Sequence, residues 1–164
     1  MSSQLIMDLA RIDQSRVEYG IEEIRKINPH RFEFEQLTGI FQLLREEETI
    51  VGFRDLRPDE FWVRGHIPGL PLFPGVLQVE ACAQLCSFYQ KTVHPTDGFF
   101  GFGGIDEVKF RQTVRPGDRL ILMAKAIQLR PRRSIYQAQG VVNGKLAIEA
   151  QITGMTIPPE RPPA

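Results

Sequence analysis

The stretch GHIPGLPLFPGVLQVEACAQL, residues 65–85, pairs two features that need a common explanation. His66 is followed by Pro68, Pro71 and Pro74, so it sits on a stiffened loop. Beyond Pro74-Gly75 the run reads as a helix that reaches about Lys91, with His94-Pro95 as its stop. That helix is apolar nearly all round, and a helix without a polar face must be enclosed. Yet Glu80 and Gln84 lie in its middle.

Working outward, the chain offers strands to enclose it. FEFEQL (32–37) alternates, and ETIVGFRDL (48–56) holds a β-branched run, with Glu46, Glu47 and Glu48 as a solvated turn between two strands. After the helix come FGGIDEVKFRQTV, RLILMAKAIQL, SIYQAQGVV and KLAIEAQITGMTI. Arg115-Pro116-Gly117-Asp118 suits a type II turn, and Val142-Asn143-Gly144-Lys145 is a strong hairpin signal. The class is α+β: one long helix and about six strands. A single antiparallel sheet could enclose the helix only by curling round it, although periodicity alone does not select this over a generic α+β sandwich. IEEIRKI is a short amphipathic helix stopped by Asn28-Pro29. Residues 1–20 read as a loosely attached extension, 21–157 as the domain, and 158–164, PPERPPA, as a disordered tail.

The 164 residues suit one compact domain. A formal net charge of zero gives the whole chain no electrostatic attraction to nucleic acid or anionic membrane. Asp8, Arg11 and Asp13 interrupt the place where a secretory signal needs an apolar run, and no stretch approaches a membrane span. A cytoplasmic location is expected. Cys82 and Cys86 share one helix in a geometry poorly suited to a disulfide, and with only His94 near in sequence a metal site lacks ligands. Both read as packing, and no metal is expected.

Glu80 has Val76, Leu77, Ala83 and Gln84 as its helical neighbours, and of these Gln84 alone can hydrogen-bond to it. Burial would raise its pKa and let it donate a proton to a leaving group; the alternative is a side chain that snorkels outward or pairs with an arginine. His66, pinned by Gly65, Pro68 and Gly69, suits base chemistry at neutral pH, although a lone loop histidine is more often incidental. Gly75 at the helix start offers a backbone N–H to which a carbonyl oxygen can come close. A base, an acid and a carbonyl-polarising amide are the parts needed to remove a proton next to a carbonyl.

His-x-Pro-Gly-x-Pro-x-x-Pro-Gly-Val-Leu-x-x-Glu-Ala-x-Ala-Gln, from His66 to Gln84, resembles the signature of bacterial 3-hydroxyacyl-acyl-carrier-protein dehydratases of fatty-acid synthesis. IEEIRKINPHRF before it, and GGIDEVKFRQTVRPGD and VNGKLAIEA after it, agree in order and spacing, so the resemblance covers about residues 20–157. It implies a hot-dog fold, in which a curved antiparallel sheet wraps a long central helix. It implies a homodimer with active sites across the interface, commonly a trimer of dimers (a hexamer). By this resemblance His66 of one subunit removes the C2 proton of a (3R)-3-hydroxyacyl thioester, and Glu80 of the other protonates or positions the departing C3 hydroxyl. The Gly75 N–H binds the thioester carbonyl, Gln84 orients the carboxyl group or the product water, and no cofactor is needed. The substrate arrives on the phosphopantetheine arm of acyl carrier protein. Glutamate at position 80 resembles the dehydratase-only branch, since the branch that also isomerises the double bond typically has aspartate there.

Acyl carrier protein is acidic, so a basic docking surface is expected. Ile105 to Arg133 carries eight basic residues against three acidic ones, and cross-strand clustering could bring Arg115 into one patch with Arg132 or Arg133. Ile67 stands where the family usually has phenylalanine, and the run after PHRF, EFEQLTGI, also departs from it. Gly101 stands where many members carry an aromatic. Phe100 and Phe102 beside it are candidates for the acyl tunnel, as is Ile67, or else are core aromatics. Two further readings remain open. One is a related hot-dog enzyme, either a specialised-pathway dehydratase or hydratase or a thioesterase; the other is a non-catalytic acyl-thioester-binding module. The first keeps the chemistry of His66 and Glu80 or needs an activated water instead, and the second has no use for both ionisable groups.

Overall fold

A computed structural model describes residues 4–159. The expected tail falls mainly on residues outside that range, and Pro158 and Pro159 carry no regular structure. The elements are α1 (Ile21–Ile27), β1 (Gly39–Leu44), β2 (Thr49–Asp55), α2 (Gly75–Val93), β3 (Phe99–Phe110), β4 (Arg119–Arg130), β5 (Arg133–Val142) and β6 (Lys145–Ile157).

The six strands form one antiparallel sheet in the order β1-β2-β4-β5-β6-β3. The 19-residue α2 packs against five of them, β2 through β6, which a flat sheet would not allow. The hot-dog expectation is met. Leu85 and Phe88 of α2 are fully buried among Ile40, Ile50, Leu120, Leu122 and Ile148 of the inner sheet face. At Gly52 an added Cβ would lie 2.9 Å from Leu85 Cδ1, so the glycine lets the helix approach the sheet closely. The turn chemistry also holds. Val142 pairs with Lys145 around Asn143-Gly144, both at positive φ, and Asp118 N donates to Arg115 O at 3.0 Å with Gly117 at φ 94°.

Two expectations need correction. FEFEQL is no strand: Phe32–Phe34 is a single 3₁₀ turn, and the first strand begins at Gly39. The reason is a competing partner. Gln84 of α2 donates to Phe34 O at 2.7 Å and accepts from Gln36 N at 3.0 Å, so its amide takes the bonds a strand neighbour would make. The N-terminal extension is not loose either. Met7 and Ile12 are buried on the outer sheet face against Phe41, Val51, Phe53, Ile121, Met123 and Val141. The wholly buried Gln139 clamps the extension, accepting from Ile6 N at 2.8 Å and donating to Gln4 O at 3.0 Å.

Candidate active site

The loop between β2 and α2 carries His66. Leu56 N donates to Asp118 O and Phe73 N to Val114 O, tying both loop ends to the turn before β4. Between them Trp62 is buried against Phe73, with ring centroids 5.4 Å apart, and His66 N donates to Trp62 O at 2.8 Å. The His66 ring is exposed, and its Nδ1 lies 2.8 Å from Leu72 O. A carbonyl only accepts, so Nδ1 carries a hydrogen, and in the neutral ring Nε2 keeps its lone pair. That is the tautomer a general base needs.

Glu80 lies one helical face away from the core. Its side chain is 27% exposed, between the two alternatives left open by the sequence, a buried carboxyl and one that reaches outward. It opens onto a cavity of about 180 Å³ whose walls include Phe100 and Phe102. Gln84 Nε2 donates to Glu80 Oε1 at 2.7 Å. Gln84 is itself immobilised by the bonds to Phe34 and Gln36, and Asn28 Nδ2 donates to its backbone carbonyl at 2.9 Å. A residue that sequence reasoning passed over completes the cluster: His30 Nε2 is 3.4 Å from Glu80 Oε1. The block NPHRF contained it, yet nothing in the sequence pattern linked position 30 to position 80.

Gly75 is the first residue of α2, where its N–H has no intrahelical acceptor. A Cβ there would lie 2.8 Å from the Phe110 ring, so the glycine also makes room for that aromatic. Of the predicted tunnel residues, Phe100 and Phe102 line the Glu80 cavity, whereas Ile67 stays exposed beside His66. His66 does not line that cavity. Within one chain His66 and Glu80 are thus not brought onto the same cavity.

The arginines expected to form a docking surface are separated as well, which corrects the idea of one patch. Arg115 lies in the turn before β4, while Arg132 and Arg133 follow its far end. The 12 residues of β4 between them span roughly 36–40 Å. Cys82 and Cys86 are buried free thiols, and burial pushes Cys82 up to about 12, so neither is a ready nucleophile.

An exposed histidine whose Nδ1 meets a backbone carbonyl, a carboxyl that opens onto a cavity and a helix-start amide are thus carried on a hot-dog scaffold. Solved structures agree on the scaffold. The dehydratase heterocomplex ApeI:P from Xenorhabdus doucetiae superposes with a TM-score of 0.68 at 11% identity, covering 82% of this chain and 90% of that one. A mutant thioesterase PA1618 from Pseudomonas aeruginosa gives 0.66 at 15% identity, covering 87% and 97%. Sequence comparison is more specific: the FabA-like domain matches residues 28–151, and the chain belongs to that family. It is 37% identical over 134 residues to a 3-hydroxyacyl-[acyl-carrier-protein] dehydratase FabZ of Clostridium novyi, covering 81% of this chain and 94% of that protein. It is 36% identical to the FabZ of Enterococcus faecalis, covering 82% and 96%.

Proposed function

We infer that the protein dehydrates 3-hydroxyacyl-acyl-carrier-protein in fatty-acid biosynthesis. The observation that carries the reading is the His66–Leu72 hydrogen bond, because it leaves Nε2 free to take a proton in the loop that matches the family's signature. His66 Nε2 removes the C2 proton of the (3R)-3-hydroxyacyl thioester while the Gly75 N–H polarises the thioester carbonyl. Glu80 gives a proton to the C3 hydroxyl, which leaves as water, and the product is the trans-2-enoyl thioester. Gln84 holds one carboxyl oxygen in place. The scheme conserves protons and uses no metal or organic cofactor.

The site is completed by a second copy of the chain. The edge strand β3 pairs only with β6 among the described strands and exposes Phe99, Phe102, Ile105 and Phe110. An unpaired edge bearing large apolar side chains favours association. The separation of His66 from Glu80 within one chain supports their meeting across that interface, and a trimer of dimers is the assembly we expect. Carrier protein docks near the His66 loop, where Arg115 lies. Among the described residues no helix is long and apolar enough to cross a membrane, and a cytoplasmic location fits a carrier-borne substrate.

The test is hydration of a short and a long trans-2-enoyl-acyl-carrier-protein, followed by loss of enoyl absorbance. The intact protein should turn over, and His66→Ala should lose ~10²–10⁴-fold in kcat. Turnover that survives His66→Ala sinks the mechanism.

A further inference from the structure

His30 reaches the working carboxyl from outside the signature loop and helix. Its backbone is braced: Arg31 donates to the carbonyl oxygens of Arg25, Asn28 and His30 at 2.9, 2.9 and 2.7 Å. Its Nε2 and the Gln84 amide address the same oxygen, Glu80 Oε1, at 3.4 and 2.7 Å. Glu80 Oε2 is therefore the oxygen left for a ligand. On the other side of the ring, Nδ1 is buried without a hydrogen-bond partner. An imidazolium would bury an unpaired N–H at that point, so the site favours a neutral ring with its hydrogen on Nε2, the nitrogen 3.4 Å from Glu80 Oε1.

The charges around the ring act in the same sense. Burial pushes the His30 pKa down, Glu80 opposes this, and Lys91 and Arg31 lower it further. Glu80 and Lys91 face it from α2 and Arg31 from its own segment. β3 and β6 line the shared cavity with Phe99, Phe100, Gly101, Phe102, Ile152, Thr153 and Gly154, and so contribute no charge.

We propose that His30 is a positioning residue for Glu80: as a neutral hydrogen-bond donor it fixes Oε1 and turns Oε2 toward the departing C3 hydroxyl. This role rests on the dehydratase reading. A protonated His30 would hold Glu80 as a carboxylate, and a carboxylate cannot supply the proton that the hydroxyl needs. The acid side of the kcat profile for dehydration therefore includes the ionisation of His30.

The experiment compares wild type, His30→Ala and His30→Gln in the dehydration of 3-hydroxyacyl-acyl-carrier-protein across pH, followed by gain of enoyl absorbance, with folding and assembly checked in each. His30→Ala should lower kcat roughly 10–100-fold, the scale of a misplaced catalytic group, with KM little changed. His30→Gln keeps an N–H donor near the Nε2 position and should recover most of kcat, while its acid limb falls with one proton fewer. A glutamine variant as impaired as the alanine, or one with the wild-type acid limb, overturns the role. If wild type turns over and both variants match it, the positioning idea fails and the dehydratase reading stands; an inactive wild type overturns both. A second readout needs no turnover. The His30 ring, followed by NMR, should titrate at lower pH in Glu80→Gln, and an unmoved midpoint refutes the contact.

Discussion

His66 shows how much chemistry one backbone contact can settle, because the Leu72 carbonyl chooses the tautomer and no side chain need be spent on it. Glu80 is served differently, by a chain of amides that begins in the segment after α1. That segment is clasped by Arg25, whose guanidinium donates to both oxygens of Glu35 at 2.7 and 2.9 Å. The hydrogen bond from Arg25 holds the Glu35 carboxyl below its ordinary value, against a smaller opposing cost of burial. A carboxyl depressed in the folded state stabilises the fold above the unfolded value of about 4.5, and the contribution disappears as pH falls through the folded value. The partly exposed Arg25 keeps the gain to about 1 kcal/mol or less. Urea midpoints of wild type and Glu35→Gln should therefore differ at pH 7 and converge below the folded value. A gap that is constant with pH would mean that the clasp does not titrate. The residues of the signature were legible because their types are costly where they stand: a carboxylate in an apolar helix, a histidine among prolines. His30 was not, because its partner is 50 positions away and its own surroundings look like an ordinary helix exit.

The elements that could be read were those punctuated by their own chemistry. Asn143-Gly144 and Gly117 demanded positive φ, and α2 announced enclosure by lacking a polar face. The apolar run Leu120–Ala124 was visible as a strand, but the reason both of its faces are apolar was not. One face packs on α2 and the other lies beneath the N-terminal strap, whose Met7 and Ile12 are buried. Antiparallel sheets commonly leave one face to water, so a strand buried on both sides signals a second layer. The strap is irregular apart from the 3₁₀ turn Leu9–Arg11 and has no periodicity to betray it. Its weight can be measured. Met7→Ala should cost ~2–3 kcal/mol, the lower part of the range for deleting a buried methionine side chain, since a terminal strap can settle into the gap. Chemical denaturation should show a lower midpoint with an unchanged slope. An unaltered midpoint would mean that the strap adds cover without stability.

At the scale of the whole molecule, His66 and Glu80 stand on different elements of one chain and do not share a cavity. His66 rides on a loop tied to the β4 turn, and Glu80 opens onto a cavity walled by the edge strand β3. If two copies join their β3 edges to complete the site, inactive His66→Ala and Glu80→Ala proteins should recover partial activity when mixed under subunit exchange, because a mixed dimer contains one site with both groups intact. No recovery after demonstrated exchange would mean that each site is built from a single chain. The same geometry bears on docking. Arg115 sits on the turn whose Val114 carbonyl binds Phe73, at the end of the His66 loop, whereas Arg132 and Arg133 occupy the remote β4–β5 hairpin. Attraction between an acidic carrier and a basic surface governs encounter and is screened by salt. Arg115→Glu should therefore raise KM for carrier-borne substrate and flatten its salt dependence, while leaving turnover of a small pantetheine thioester intact. Arg132→Glu with Arg133→Glu serves as the comparison, since an effect confined to that pair would move the docking surface to the hairpin, and loss of small-thioester turnover in Arg115→Glu would show that the turn supports the His66 loop.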